Sequence, residues 1–409
     1  MAPRRPARPY PCEKLRRTRR RRRNFCDGTR VGVPAVGVTD VELIVKATRL
    51  CNLRCTYCYD WRAGEGHTMS FRTLARLVAR TLGQPDHRTV GFDWHGGEPT
   101  VLPLSFFKKA LHLQERFRRP DQLIRNAIQT NATRVTPEWA RFFADHHIDV
   151  GISIDGPAAI HDRYRIDRAG RPTLARTLDG LRELRDHGIE PGVGVVVDRA
   201  ALQAGPAALL DFLDEHEIRA VGLNFVMPDA LADNVGNGDG RHYVDPDQSA
   251  GFLMKLYDCW RKRDGAEIHI RELAALIDSL HGTRPSPCTL AGRCFGIVFR
   301  IEPNGDVYHC DYFGADPRYR WGNITTDSFS AIRQNVNLQE RTAAHAKERD
   351  GMRSCDEFSV CHGWCPHIRH TSHRHYAGHH DGCCGLRPLI AHIRENPPSG
   401  RTTPAMAQI

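Results

Sequence analysis

The chain has 409 residues, 40% of them hydrophobic, enough for one large or two ordinary domains with a real core, which excludes a disordered or fibrous protein. Its mean hydropathy is −0.48. No apolar run is long enough to span a bilayer and the N-terminus lacks a signal peptide's apolar segment, so a cytoplasmic protein is expected. The formal charge of +10 resides in the first 30 residues, where eleven Arg and Lys14 face only Glu13 and Asp27; the other 379 residues carry 46 basic and 46 acidic side chains. Phosphate binding should scatter Lys and Arg over the folded surface, so nucleic acid is not an expected partner.

From residue 41 onward, short apolar runs alternate with amphipathic stretches, the pattern of a parallel sheet built from βα units. Strands are predicted at Val41–Ala47, Val90–His95, Asn126–Gln129, Asp149–Ile154, Gly192–Val197 and Val221–Val226. Helices are predicted at Phe71–Leu82, Leu104–Arg118, Pro137–His146, Leu174–His187 and Pro206–His216. Six such units suggest an α/β fold with a partial (β/α)6 TIM-like barrel, whose chemistry sits at the C-terminal ends of the strands. The helix-breaking stretch from Asp229 to Asp247 marks a boundary, and Gln248–Arg263 reads as a linking helix. From Cys288 cysteines and turn residues dominate with little regular structure, so metal is expected to replace much of the missing core. The predicted division is a basic, disordered tail 1–36, a core 37–232, a linker and helix 233–285, a cysteine-rich, loop-rich domain 286–395 and a C-terminal tail 396–409.

Fourteen cysteines are many for a chain without an export signal, and metal ligation accounts for them better than disulfides. Cys51, Cys55 and Cys58 form C-x3-C-x2-C directly after the first predicted strand. Three thiolates can hold three irons of a cubane and leave the fourth open to another ligand. A structural zinc wants four closed ligands, and no fourth partner is near in sequence.

This spacing resembles the signature of the radical S-adenosylmethionine (SAM) superfamily. The resemblance implies a [4Fe–4S] cluster that chelates SAM and, once reduced, releases a 5′-deoxyadenosyl radical. His95-Gly96-Gly97-Glu98-Pro99 matches the family's GGEP segment, so Gly96, Gly97 and Glu98 are expected to receive the SAM amino group. The resemblance places Ser153 and Arg165 near the SAM carboxylate, a task that suits the planar fork of Arg. It also implies a flavodoxin- or ferredoxin-type electron donor.

Further on, Cys294-x10-Gly305-x4-Cys310 fits the opening of the SPASM motif, and Cys355-x5-Cys361-x3-Cys365 with Cys383 fits its second half, except that Met352 stands where the first cysteine of that half belongs. The motif implies two auxiliary [4Fe–4S] clusters. Cys288, Cys294, Cys310 and Cys365 would complete the first. Cys355, Cys361 and Cys383 or Cys384 would hold the second one thiolate short, so one or two auxiliary clusters are expected. Four-cysteine zinc sites would share these ligands.

The closest pattern is that of the anaerobic sulfatase-maturating enzymes, across most of residues 40–390, in WHGGEPTVLPLSFFKKALHLQERF, IQTNAT, VGISIDGP and GDVYHCDYFGADPRYRWGNI. In that branch a carboxylate directly after the cluster cysteine is the base, and Asp311 stands there. It would deprotonate a substrate Ser or Cys while deoxyadenosyl removes a Cβ hydrogen, giving an aldehyde or its thioaldehyde precursor. His95 stands where those maturases carry Gln, Asp60 where they carry Tyr, and Ala132 replaces Gly; Gln129 is retained. His95 and Gln129 are read as substrate-binding, in a pocket altered from that of the maturases. Related SPASM enzymes instead cross-link ribosomal peptides, and the two outcomes are equally compatible with the residues. The expected partner is a peptide or protein substrate. Two alternatives are a small-molecule dehydrogenase and, more remotely, a metal-containing nucleic-acid binder that uses the Arg tail. The stretch from His362 to His380 reads as a solvated loop, and Tyr57 and Tyr59 as aromatics around the cluster or the barrel mouth.

Overall fold

A computed structural model describes residues 40–58, 67–226, 243–263, 268–283, 288–313, 316–375 and 385–398, with backbone alone at 288 and 373–375. Six parallel strands run in chain order: β1 (Val41–Thr48), β2 (Thr89–Gly96), β3 (Leu123–Thr130), β4 (Asp149–Ser153), β5 (Gly192–Val197) and β6 (Ala220–Phe225). β1 does not close onto β6. The far edge of β6 takes the short β7 (His269–Ile270), and the far edge of β1 takes β8 (Val298–Ile301), which is parallel to it. β9 (Asp306–Tyr308) and β10 (Arg320–Asn323) follow antiparallel, so the described sheet runs β10-β9-β8-β1-β2-β3-β4-β5-β6-β7.

The predicted strands and helices lie where the periodicity puts them, with two differences. β3 begins at Leu123, earlier than expected. The predicted helix Pro206–His216 is the second half of Arg199–Glu215, broken at Gly205 (φ 79°, ψ 163°), whose first turn is capped by the Asp198 side chain accepting from the Ala201 N–H at 2.9 Å.

The cysteine-rich region departs from its expectation. It contains three strands and the helices Val336–Gly351, Pro366–His375 and Arg387–Glu395. Phe299, Ile301, Val307, Trp321, Ile324, Phe329 and Ile332 are buried in one core cluster with Leu43, Val45 and Phe92 of the barrel. Apolar burial, rather than metal alone, therefore holds this region. The overlooked signal is Asn304-Gly305, which turns β8 into β9: Gly305 has φ +91°, and its N–H donates to Glu302 O at 2.9 Å.

Strand alternation sorts the barrel's two faces. Val41, Leu43, Val45, Val90, Phe92, Trp94, Ile152, Val193 and Val195 are buried against the helices. The opposite positions carry Glu42, Lys46, Asp93, His95, Arg125, Gln129 and Ser153, interleaved with glycines. Those glycines make room: a Cβ on Gly91 would lie 2.1 Å from the Glu42 carboxylate, and one on Gly151 would lie 2.2 Å from Gln129 Oε1. A closed barrel would fill this space with branched apolar side chains.

Burial first, and then the like charge of Asp93, push Glu42 up to about 7, with Arg125 opposing. A raised acid stabilises the fold fully below its unfolded value and loses that contribution as pH rises through its folded value. Glu42→Gln is neutral throughout, so its unfolding free energy in urea titration should stay near wild type at about pH 5 and exceed it at about pH 8, by roughly 2–3 kcal/mol.

Candidate active site

The segments that follow β1 to β4 converge, and the three N-terminal cysteines lie on the first of them. Cys51 is buried, and Cys55 and Cys58 are partly exposed. Their loop is stitched to residues 164–168: Arg54 N donates to Ile166 O at 2.7 Å and Thr56 N to Tyr164 O at 3.1 Å. Arg168 Nη2 reaches Cys51 O at 2.8 Å. Burial pushes the Cys51 and Cys55 thiols up to about 12, so ligation must displace their protons. Among the described residues no group of three or more His, Cys, Asp or Glu can hold one metal ion. Thiols that each take a different iron of a cubane need no such convergence, and three of them on one anchored loop are a donor set that fits it.

The glycine pair after β2 lies directly on this loop. Gly97 N donates to Thr48 O at 2.8 Å and Glu98 N to Leu50 O at 2.9 Å. A Cβ on Gly97 would lie 2.2 Å from Leu50 O, and one on Gly96 (φ +133°) would lie 2.0 Å from Thr48 O, so no other residue fits either position. Glu98 is 1% exposed. Its Oε1 accepts from Thr100 N (3.0 Å), Thr100 Oγ1 (2.6 Å) and Thr130 Oγ1 (2.6 Å), and its Oε2 accepts from Asn131 N (2.7 Å). These four donors make the acid lock the loops after β2 and β3 together, with Oε2 holding a single donor. Asn131 in turn donates to Asn52 beside the first cysteine at 3.0 Å. Ala132 keeps a left-handed backbone, φ +58°, where the resemblance expects glycine.

Across the mouth, Asp155 gathers three partners. Arg165 Nε donates to its Oδ2 at 2.9 Å, Tyr57 OH to the same oxygen at 2.5 Å, and Val196 N to its Oδ1 at 3.1 Å. The Tyr57 ring lies 5.5 Å from the Arg165 guanidinium, so Tyr57 ties the cysteine loop to β4; Tyr59 and Asp60 lie outside the described residues. Gln129 Nε2 donates to Ser153 Oγ at 3.0 Å.

Asp311 follows β9 and faces the barrel. Its Oδ2 accepts from Lys46 Nζ at 2.6 Å, and Lys46 Nζ also lies 3.1 Å from His95 Nδ1. Lys46 is fully buried. Burial, only partly offset by Asp311, pushes Lys46 down to about 8. Burial alone would raise Asp311, but Lys46, then His95 and Arg300, hold it well below the usual carboxylate range. Asp311 Oδ1 has no hydrogen-bond partner among the described residues. Sequence reasoning missed Lys46 and Asp155. The signal for Lys46 was a second charge, four residues after Glu42, at an inward position of β1; Asp155 stands before Gly156, where an acid has the look of an ordinary turn residue.

The C-terminal cysteines divide. Cys294, Cys361 and Cys365 are buried, and Cys310 and Cys355 are partly so. Cys361 Sγ accepts from Gly363 N at 3.4 Å. Met352 is 2% exposed, and its Cε lies 3.0 Å from where a Cβ on Gly363 would sit, so the methyl end of its side chain packs against Gly363. Cys288 opens the short helix Cys288–Ala291, while Cys383 and Cys384 lie outside the described residues. The expected solvated histidine loop is in part the helix Pro366–His375, with His367 and Arg369 buried; His379 and His380 lie outside the described residues.

Comparison with known proteins agrees with this geometry. A family profile described as the radical SAM superfamily matches residues 45–202, and one described as an iron-sulfur cluster-binding domain, SPASM, matches residues 294–362. The chain is 31% identical to the serine-type anaerobic sulfatase-maturating enzyme of Bacteroides thetaiotaomicron, over 78% of this chain and 81% of that protein. It is 28% identical to the cysteine-type enzyme of Clostridium novyi, over 79% and 87%. The solved structure of anSMEcpe with bound AdoMet and the Cp18Cys peptide superposes with a TM-score of 0.74 at 26% identity, covering 87% of this chain and 97% of that one. Streptococcus suis SuiB bound to its precursor peptide SuiA shares the fold, with a TM-score of 0.56 at 14% identity over 81% and 73%. Fold and site thus define an iron–sulfur enzyme with a radical SAM domain and a SPASM domain. The chain belongs to the family of anaerobic sulfatase-maturating enzymes.

Glu98→Gln places an amide among four donors in a buried pocket, and should cost about 2–3 kcal/mol in denaturant titration of the SAM-free protein. A Glu98 that served only to meet SAM would leave that stability unchanged and weaken SAM binding instead.

Proposed function

We propose that this enzyme oxidises the Cβ of a Cys or Ser side chain in a peptide or protein, using SAM, one SAM-binding cluster and one or two auxiliary clusters. Oxidation is favoured over cross-linking because the relatives at 31% and 28% identity are sulfatase-maturating enzymes, whereas the peptide-bound SuiB structure shares the fold alone. Relatives of both serine and cysteine type match, so either residue is a candidate substrate. When bound, the SAM-ligated cluster supplies the hydrogen-abstracting radical and the auxiliary clusters supply an electron acceptor. The remaining tasks fall to side chains. Ser153 already accepts from Gln129, which leaves its own proton for the SAM carboxylate. Arg165 commits Nε to Asp155 and keeps its terminal nitrogens for the same carboxylate. The backbone of Gly96 and Gly97 borders the SAM amino group.

The observation that carries the reading is the state of Asp311, beside Cys310 and pinned through Oδ2 by a buried Lys46, with Oδ1 uncommitted. Oδ1 accepts the proton of the substrate hydroxyl or thiol, and Lys46 holds the carboxyl ionised until it does. His95, whose Nδ1 lies 3.9 Å from Asp311 Oδ2, and Gln129 on β3 serve as substrate contacts. A flavodoxin- or ferredoxin-type reductant and a cytoplasmic setting complete the proposal; among the described residues no helix is long and apolar enough to cross a membrane.

The test is anaerobic turnover of a Cys peptide and a Ser peptide with SAM and reductant. Wild type should form 5′-deoxyadenosine together with a hydrazine-trappable aldehyde. Asp311→Asn should still cleave SAM but lose aldehyde by at least about 10²-fold. A cross-linked peptide, or full aldehyde yield from the Asn variant, would sink the assignment.

A further inference from the structure

His309 precedes Cys310 in the chain and is fully buried. Its ring stacks on Phe295, with centroids 4.0 Å apart and planes within 7°, and lies 5.3 Å from Phe313 and 6.2 Å from Trp321. Phe313 and Trp321 are themselves buried, so the imidazole sits in a dry aromatic slot that fixes the direction of its nitrogens. One of those nitrogens, Nε2, lies 3.4 Å from Cys294 Sγ. In the free thiol either atom can donate. A sulfur bound to iron has lost its proton, so the contact then persists only with Nε2–H as donor and the thiolate as acceptor.

We propose that His309 is a positioning residue that donates a hydrogen bond from Nε2 to the Cys294 thiolate and so raises the reduction potential of the auxiliary cluster held by Cys294 and Cys310. This rests on the reading that these cysteines hold such a cluster. The sign follows from charge. Reduction adds an electron to the cluster and its sulfurs, so a donor aimed at one sulfur stabilises the reduced form more than the oxidised one. Water is excluded, which leaves the interaction unscreened. A higher potential suits the centre to taking an electron from a substrate carbon radical beside Asp311, the next residue but one. Direct ligation of iron by His309 is not required, because the SPASM pattern already assigns this cluster four cysteines, Cys288, Cys294, Cys310 and Cys365.

The experiment uses the full chain carrying Cys51, Cys55 and Cys58→Ala, so that only auxiliary iron remains, with His309 intact, His309→Phe or His309→Gln. Redox titration followed by electron paramagnetic resonance should show one component moved to lower potential in His309→Phe. The expected shift is about a tenfold change in the reduced-to-oxidised ratio at fixed potential, about 59 mV for a one-electron couple. His309→Phe keeps the aromatic stack, and His309→Gln, which retains an N–H, should recover part of the shift. Pulsed resonance should find a weak ¹⁴N coupling in the parent that is lost in His309→Phe. Equal potentials in the parent and His309→Phe would overturn the inference. So would a strong, directly bonded ¹⁴N coupling or the loss of about four irons in His309→Phe, either of which would make His309 a ligand. Failure of the underlying reading shows separately, as a parent that binds no iron at all.

Discussion

The ion pair between Lys46 and Asp311 is the interaction on which the rest of the site depends, because it joins the barrel's first strand to the residue beside a cluster cysteine. Lys46 has no exposure and its Nζ lies 2.6 Å from the carboxylate. Such a pair adds little net stability, since each charge is stripped of water, but removing one partner strands the other at a cost of about 3–5 kcal/mol. Its value is therefore in position. The stability that lets it exist comes from elsewhere, from β8 pairing with β1 and from the apolar residues shared by the two regions. A second polar link reinforces the junction: Arg49 Nε donates to Glu302 Oε2 at 2.9 Å, and Arg300 Nε lies 3.0 Å from Glu302 Oε1.

The mouth of the barrel is organised by acids that bind loop donors. Glu98 collects donors from the segments after β2 and β3, and Asp155 collects them from the cysteine loop, the strand β5 and Arg165. Each acid removes freedom from two loops at once. A pocket for a charged cofactor is then formed by backbone and side chains that already have fixed partners, which is what preorganisation requires.

The departures from the family pattern alter side chains while leaving that frame in place. His95 enters the Lys46 and Asp311 group where the maturases carry Gln. Ala132 is fully buried in the left-handed conformation that glycine would adopt more easily. Met352 fills space beside Gly363 with a flexible apolar side chain suited to irregular gaps. His95 lies near the end of β2 and Ala132 just after β3, whereas Met352 lies in the cysteine-rich region, three residues before Cys355.

Sequence alone determined the six strand and helix units of the barrel, the cysteine loop and the placement of GGEP and Ser153 at strand ends. Hydrophobic period and cysteine spacing are local, and each needs only a few neighbouring residues to be read. Lys46, Asp155 and His309 were invisible for the opposite reason. Each acquires its meaning from a partner 265, 98 or 15 positions away. The regular structure of the cysteine-rich region was missed because β8 is a strand chiefly by virtue of its pairing with β1, in a stretch whose apolar run Ile297–Phe299 is cut short by Arg300. Tertiary structure decided which charges are buried, which carboxylate oxygens are already taken and which thiol faces an imidazole, because burial and long-range partners exist only once the chain has closed on itself.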